Sequence, residues 1–225
     1  MTDQSVFSGK MERAMDLKLV ETSSDPKAIK RNNERPKQIL SAAIALFRDR
    51  GFEATRLEDV ADKAGVSKAT IYLYFESKED LFFALIREKV VPMLEQTIAQ
   101  AEAFEGPASE FLRLKAQSVG RLFAHSEQGA ILKLVISEAR RFPDLTDYYR
   151  TEVPERGLEN IAKMIRRGID EGEFRECDAR AAATAFMFPL LMNGIWMNSV
   201  GPDEIVDPDA VIDFHCENFI RGLSP

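Results

Sequence analysis

One short segment of the chain carries hydrogen-bond donors of the kinds that contact nucleic-acid bases and phosphates. These donors are the hydroxyl and ammonium groups of Ser67, Lys68, Thr70, Tyr72 and Tyr74. Hydroxyl groups donate to base edges and to phosphate oxygens, and an ammonium group also neutralises phosphate charge. The apolar side chains of Ile71 and Phe75 are left to pack inward. We therefore predict that this segment reads DNA.

Two short helices joined by a tight turn are predicted to position these donors. Residues 57–64 have an amphipathic helical pattern, Gly65-Val66-Ser67 is typical of a turn, and residues 68–75 form a second helical pattern. A three-residue turn that contains Gly between two short helices indicates a helix-turn-helix, whose second helix presents its N-terminal side chains to the major groove. The spacing from Thr55 to Glu58 is that of a capping box, with the cap at Thr55 or one position later.

Further helices are predicted on both sides of this motif. Pro36 suits a first helical turn, and apolar residues recur at helical spacing up to Gly51, a natural C-terminal stop. Ser77 opens a fourth helix, which Pro92 is expected to kink or end, and Pro154 is placed to split a later helix. The later helices are expected at roughly 108–124, 127–141, 144–171, 179–199 and 208–221. We predict an all-α chain of about nine helices.

The charge distribution gives different parts of the chain different expected partners. The net charge is −7, yet residues 26–90 carry thirteen Lys and Arg against ten Asp and Glu, a net +3, and residues 91–225 carry a net −8. DNA binding needs local cations against phosphate, and an acidic domain would face away from the duplex. The basic run from Lys27 to Lys37 is either a solvated linker or an arm that touches phosphate or the minor groove.

The residue types that catalysis or metal binding needs are not assembled in the sequence. His125 and His215 lie far apart without partners at ligand spacing, and Cys177 and Cys216 form no cluster. We find no nucleophile-elbow pattern and no phosphate-binding glycine loop. We therefore expect no enzyme activity, no metal and no cofactor. The two unclustered cysteines and the absence of a signal-peptide layout favour a cytoplasmic location.

One uncharged stretch requires a membrane test. The chain from Ala181 to Pro202 carries no charged residue and is long enough to span a bilayer. Pro189, Asn193 and Gly194 interrupt it, and no cluster of Lys and Arg flanks it. We therefore expect a helix that is buried on all sides, and no membrane partner.

An ordered series of residues resembles the TetR family of bacterial transcriptional regulators. The series is Ala43, Leu46-Phe47, Gly51-Phe52, Thr55, Val60-Ala61, Ala64-Gly65-Val66-Ser67, Thr70, Tyr72, Tyr74-Phe75, Lys78 and Leu81. The resemblance implies a three-helix DNA-binding head with its helix-turn-helix at about 56–75, a fourth linking helix, and a larger C-terminal helical domain for ligand binding and dimerisation. It places a polar N-terminal arm at residues 1–32, the DNA-binding domain at 33–93, and the effector-binding and dimerisation domain at 94–225. It also implies a homodimer whose affinity for double-stranded operator DNA falls when a small molecule binds.

The family pattern implies roles for individual residues of the head. Tyr72 is expected to touch the phosphate backbone, and Lys78 to grip it at the start of the fourth helix. Arg56 stands where the family commonly has a small hydroxyl residue, and is expected to reach phosphate. Ala69 stands where glycine is frequent, and its methyl group can contact a thymine methyl. The complete set of predicted DNA-contacting residues is Arg56, Ser67, Lys68, Ala69, Thr70, Tyr72, Tyr74 and Lys78.

An apolar or amphipathic effector is expected in the second half of the chain. Aromatic and thioether side chains tolerate varied apolar ligands, although Met and Phe at helical spacing equally suit an ordinary core. The predicted effector-binding residues are Phe123, Phe142, Met164, Phe186, Met192 and Trp196.

A homodimer is predicted through the helices at about 179–199 and 208–221. The first of these helices has apolar residues on nearly every face, so one side can pack on its own domain and the other on a second copy. Two functions remain open at this stage. One is a transcriptional regulator, most simply a repressor released from its operator by an effector. The other is an architectural DNA-binding protein that uses the same fold without an effector.

Overall fold

The computed structural model of the protein describes residues 26–125, 127–200 and 207–225. These residues form helices and no strand, which confirms the predicted all-α class. The elements are α1 (Pro26–Ala54), α2 (Leu57–Ala64), α3 (Lys68–Tyr74), α4 (Lys78–Leu85), a π-helical segment (Ile86–Val90), α5 (Val91–Glu102), α6 (Ala108–His125), α7 (Glu127–Glu138), α8 (Pro143–Arg150), a second π-helical segment (Thr151–Glu155), α9 (Arg156–Asp170), α10 (Ala179–Ser199) and α11 (Pro208–Leu223). If each pair joined by a π-helical segment counts as one helix, the described residues contain nine.

The chain divides into two compact units at the bond between Arg87 and Glu88. The first unit includes α1 to α4, and the second includes α5 to α11. The predicted domain boundaries after residues 32 and 93 stay predictions. Residues 1–25, which make up most of the predicted N-terminal arm, lie outside the described residues.

Three buried aromatic rings hold the first unit together. The ring of Phe47 lies 5.1 Å from that of Phe52, which lies 5.5 Å from that of Phe82. Aromatic pairs at such separations stabilise a core beyond the area that they bury. Leu81 of α4 and Ile71 of α3 are also fully buried. This packing fixes the recognition helix α3 on a rigid support.

The first helix differs from the prediction at both ends. It begins at Pro26 and not at Pro36, so the predicted start was wrong. Pro26 itself suits the first helical turn, and no Gly or other Pro intervenes before Pro36, which lies inside the helix. Gly51 does interrupt the helix, with φ +81° in the region that glycine adopts readily, but helical residues resume as far as Ala54.

The core of the second unit lies between α6, α9, α10 and α11. Its members are apolar residues that recur at helical spacing on each of these helices: Leu112, Ala116, Ile161, Met164, Ile165, Ala183, Phe186, Leu190, Ile212 and Cys216. Gly194 allows α10 to approach α6 closely, because a Cβ built there would lie 2.5 Å from the Cβ of Phe123.

A carboxylate and a guanidinium group fix the loop that precedes α6. Glu173 accepts hydrogen bonds from the backbone N–H groups of Ala108 (2.7 Å) and Ser109 (2.9 Å). These donors have no partner within the helix, and a negative charge is favoured at this end of it. Arg167 donates to the carbonyl of Phe104 over 2.7 Å and also to that of Gly106. Burial acts to raise the pKa of Glu173, but the hydrogen bonds outweigh it and lower that pKa.

The prolines interrupt the long helices as expected. Pro154 lies within the second π-helical segment and separates α8 from α9. Pro92 lies in the first turn of α5, where its missing N–H needs no partner. Pro189 lies inside α10, and among the described residues no helix has the length and hydropathy needed to cross a bilayer.

Candidate nucleic-acid interface

The turn between α2 and α3 has the geometry of a helix-turn-helix. Gly65 ends α2 in the left-handed region, at φ +67°, and its N–H donates to the carbonyl of Asp62 over 3.2 Å. Ser67 caps α3, since its hydroxyl accepts a hydrogen bond from the N–H of Thr70 over 3.1 Å. Left-handed backbone favours glycine, and a serine cap satisfies a free helical N–H. Both residue types are therefore required where the sequence places them.

The side chains of α3 divide into a buried side and an exposed side. Ile71 is fully buried and Phe75 is 3% exposed, which confirms the expectation that they pack inward. Lys68 and Ala69 are exposed, and Tyr74 is half-buried. The hydroxyl oxygens of Ser67 and Thr70 lie 2.7 Å apart, so one of them donates to the other. The exposed side of α3 is the surface that can enter a DNA groove.

Glu58 of α2 joins two of the predicted DNA-contacting side chains. Its Oε1 lies 2.7 Å from Nζ of Lys68 and accepts a hydrogen bond from the hydroxyl of Tyr72 over 3.2 Å. Nζ of Lys68 also lies 5.9 Å from the ring centroid of Tyr72. The hydrogen bond from Lys68 lowers the pKa of Glu58 to about 2. The carboxylate therefore occupies donor groups of two side chains that are predicted to contact DNA.

Sequence reasoning assigned no DNA-contacting role to Glu58 and left out Leu73. Leu73 is 68% exposed on the recognition helix, an unusual position for a large apolar side chain. Its signal in the sequence was its spacing from Ile71 and Phe75, which places it away from the buried side of a helix. An exposed apolar group on a recognition helix suits contact with a thymine methyl.

Lys78 makes contacts within the protein that the sequence did not predict. Its ammonium group donates to the carbonyls of Phe52 (2.6 Å) and Glu53 (3.2 Å) and lies 4.4 Å from the ring centroid of Phe52. A cation at the carboxyl end of a helix is favoured by the helix dipole, so Lys78 stabilises the end of α1. Its proposed contact with phosphate stays a prediction.

Arg56 is the N-cap residue of α2, so the cap lies at the later of the two predicted positions. Its backbone N–H donates to Oδ2 of Asp59 over 3.1 Å, and its side chain is exposed. The hydroxyl of Thr55 instead donates to the carbonyl of Gly51 over 2.8 Å. The expected contact between the exposed side chain of Arg56 and phosphate stays a prediction.

The six predicted effector-binding residues do not come together. Met164 and Phe186 belong to the same buried core, and Phe123 is buried beside Gly194. Phe142 is half-buried, whereas Met192 and Trp196 are 59% and 53% exposed on α10. Apolar residues on every face of α10 left its orientation open, and the structure turns these two outward. An open groove of about 530 Å³ lies elsewhere, on the first unit, lined by Glu34, Lys37, Gln38, Ser41, Ala42, Lys63 and Ala64.

One face of α10 is apolar and exposed, contrary to the expectation that the helix is buried on all sides. We call it the outer face of α10, and it comprises Phe188, Met192, Trp196 and Val200, which follow one another at intervals of four residues. Each is more than half exposed. Phe214 on α11 is 73% exposed. The opposite side of α10, with Phe186 and Leu190, is buried in the core.

Two of the titratable residues considered for metal binding, His215 and Cys216, take structural positions. Nε2 of His215 lies 2.9 Å from the carbonyl oxygen of Phe186, and Cys216 is buried in the core. Burial raises the pKa of the Cys216 thiol. Within the described part of the chain, no three His, Cys, Asp or Glu residues are grouped to hold a metal ion.

Both halves of the chain match models of known protein families. Residues 39–85 match the model of bacterial regulatory proteins of the tetR family, and residues 110–213 match the model of the C-terminal domain of AefR-like transcriptional repressors. The first range contains the helix-turn-helix, and the second contains most of the core of the second unit.

Individual relatives agree with these matches. The chain is 29% identical over 181 residues to the HTH-type transcriptional regulator YfiR of Bacillus subtilis, which covers 80% of this chain and 87% of that protein. It is 30% identical over 152 residues to the fatty acid metabolism regulator protein of the same species, covering 66% of this chain and 77% of the relative. The crystal structure of AibR in complex with isovaleryl coenzyme A and operator DNA shares the fold, with a TM-score of 0.66 and 20% identity, and the match covers 85% of this chain and 99% of the other. The protein is thus a DNA-binding transcriptional regulator that belongs to the TetR family.

Proposed function

We propose that this protein is a repressor that binds operator DNA as a homodimer and leaves it when an apolar or amphipathic effector binds. The observation that carries the proposal is the recognition helix α3, which exposes Lys68, Ala69 and Tyr72 while Ile71 and Phe75 anchor it in the core. Its polar side chains suit base edges and phosphates, and its net positive unit suits the duplex. We propose no enzymatic activity.

The outer face of α10 supports the homodimer. Its four large apolar side chains form a continuous stripe along the helix, and a monomer rarely exposes such a stripe without a partner. The occupant that we propose is a second copy of the chain, because two identical stripes bury each other across a two-fold axis. Such a dimer would present two recognition helices to successive major grooves, roughly 34–36 Å apart, on a near-palindromic operator.

The effector is proposed to bind within residues 94–225. The fatty acid metabolism regulator and the AibR structure with isovaleryl coenzyme A support an effector with an acyl chain. Phe123, Met164 and Phe186 remain candidates to contact it, and they are closely packed in the described structure. Binding must therefore separate core side chains, which provides a physical route from the ligand to a change in conformation.

Operator selection followed by ligand titration tests this function. Genomic fragments retained by the protein should yield a few related, near-palindromic sites, and hexadecanoate or its coenzyme A thioester should lower the affinity for them. Linkage requires that operator DNA weakens binding of the effector by the same factor. Dispersed sites without a common sequence, together with no ligand effect, would instead establish the architectural function.

A further inference from the structure

A single lysine is buried in the core of the second unit. Lys115 of α6 is 7% exposed, and Leu112 and Ala116 beside it on the helix are fully buried. Its ammonium group has no hydrogen bond or ion pair with any described residue, and lies 5.4 Å from the ring centroid of Phe111. Lys115 therefore lies on the buried side of α6, with its ammonium group beside Phe111.

This position is unfavourable for the free protein. A charge on a side chain this buried loses part of its hydration, and no described residue compensates for that loss. Burial lowers the pKa of Lys115 to about 8, with no carboxylate acting on it. A bound anion would supply the missing partner, so the cost in the free protein becomes a gain in affinity for an acidic ligand.

A second polar group in the same unit is also unsatisfied. Asn160 of α9 is 8% exposed, and its Oδ1 has no hydrogen-bond partner. The two helices meet where a Cβ built on Gly168 would lie 2.9 Å from the Cβ of Ala108. Lys115 lies seven residues after Ala108, and Asn160 lies eight residues before Gly168. Ala116 and Ile161, which follow Lys115 and Asn160, belong to one core cluster.

We propose that Lys115 binds the carboxylate of an apolar acid, whose hydrocarbon part lies in the core between α6 and α9. The proposal rests on the function proposed above and specifies the chemical class of the effector. One ammonium group matches one carboxylate, whereas the phosphates of a coenzyme A ester carry several charges and need several donors. Asn160 would add a second polar contact if its amide turned so that its N–H donates to the bound carboxylate, because the unsatisfied Oδ1 only accepts.

Three matched ligands test which anion is recognised. Hexadecanoate, its methyl ester and its coenzyme A thioester share one acyl chain, and only the first has a free carboxylate. Butanoate and octanoate extend the test to shorter chains. We expect one of the acids to bind the wild-type protein about tenfold or more tightly than its ester, because the ester lacks the charge-assisted hydrogen bond.

The variant Lys115→Met removes the charge and keeps the length of the side chain. It should abolish the preference for acid over ester, and it should raise the Tm of the ligand-free protein by a few degrees, because an unpaired buried charge is gone. Lys115→Arg should keep the preference for the acid. Lys163→Met is the matched control, because Lys163 is exposed on α9 and its loss should change neither property.

Several results would overturn the proposal. They are the absence of binding by every acid tested, equal binding of acid and ester, a preference that survives Lys115→Met, and tighter binding of the thioester that depends on Lys115. A lower Tm for Lys115→Met would give the ammonium group a structural role and would also overturn it. Failure of the proposed repressor function has a different signature: the acid binds through Lys115, yet operator affinity does not change.

Discussion

Two regions of the molecule differ in how far their polar and apolar side chains find partners within the chain. They are the recognition surface formed by α2 and α3, and the second unit. On the recognition surface, the exposed Lys68 and Tyr72 are paired with Glu58. In the second unit, the buried Lys115 has no described partner, and the outer face of α10 exposes large apolar side chains. The recognition surface is thus complete within one chain, whereas the second unit has groups that a ligand or a second chain would satisfy.

The difference has a physical cause. An exposed ionic group exchanges its water for an oppositely charged neighbour with little net change in free energy. Such a pair can therefore open easily when a phosphate group approaches. A buried cation and an exposed apolar stripe both cost free energy until something covers them. Exposed ionic groups that are paired with each other therefore indicate a surface that can bind without a conformational change. An unpaired buried cation or an exposed apolar stripe indicates where binding of a ligand or a second chain would change the stability or conformation of the protein.

The largest expected effect comes from a charge on the outer face of α10. Trp196→Glu should disrupt the proposed dimer, because a carboxylate would be buried against a second copy. Operator affinity should fall about a hundredfold or more, since each half-site then binds alone. Light scattering should show a mass of 25.4 kDa for the variant and about twice that for the wild type.

Ile136→Glu is the control for this change. Ile136 is 53% exposed, as Trp196 is, but lies on α7 and is not part of the outer face of α10. It should leave both the mass and the operator affinity unchanged. A wild-type protein that is monomeric while it binds a palindromic operator would contradict the dimer.

The helix-turn-helix was predictable because its rules are local. Gly65 and Ser67 must be where they are for a left-handed turn and a helix cap, and α2 and α3 start and end within one residue of the predicted bounds. The start of α1 was not predictable, because both Pro26 and Pro36 suit a first helical turn. A helix can extend through the second of them.

The second unit was predictable in its helices and not in its side-chain contacts. The helices from α6 to α11 follow the predicted ranges closely, including the break at Pro154. The orientation of α10 could not be derived, because apolar residues lie all around it. Lys115 did carry a signal, since it occupies the same helical stripe as Leu112, Ala116 and Val119. Nothing in the sequence says whether such a lysine is paired.

A smaller effect is expected at Lys78, where stability and DNA binding are combined. Lys78→Ala should lower the free energy of unfolding by about 2 kcal/mol, because the carbonyls of Phe52 and Glu53 lose a charged donor. DNA affinity should fall by a similar factor for all sequences. The slope of the logarithm of the binding constant against the logarithm of the salt concentration should become shallower by about one unit. Chemical denaturation and titrations at several salt concentrations separate the two effects.

Lys63→Ala is the comparison, because Lys63 is exposed at the end of α2. It should lower the free energy of unfolding by less than about 1 kcal/mol, because an exposed cation in the last turn of a helix interacts only weakly with the helix dipole. If Lys78→Ala lowers stability but leaves DNA affinity and its salt dependence intact, Lys78 stabilises α1 and does not contact phosphate.

In the second unit, Glu173→Gln should lower the free energy of unfolding by about 1 kcal/mol, through a weaker cap on α6. The hydrogen bonds lower the pKa of Glu173 from its ordinary 4.5, so the contribution is complete above that pH. It is lost as the pH falls through the lower, folded-state pKa. The difference between wild type and variant should therefore be present at neutral pH and disappear under acidic conditions. Denaturation with Glu176→Gln as an exposed control measures it.

The smallest effect is expected at Glu58, which we propose competes with DNA for Lys68 and Tyr72. Glu58→Gln removes a negative charge beside the duplex and releases the ammonium group of Lys68, so affinity should rise a few-fold for all sequences. Preference for the operator should decrease, because the carboxylate no longer orients the two side chains on α3.

Since the pKa of Glu58 is about 2, the wild-type carboxylate is charged at every pH at which the protein would be assayed. The difference in affinity between wild type and Glu58→Gln should therefore not vary with pH near neutrality. Anisotropy titrations on operator and random duplexes, with Glu53→Gln as a control outside α2 and α3, measure both quantities. If affinity and preference are both unchanged, the fold of α3 orients Lys68 and Tyr72 for DNA binding and Glu58 does not.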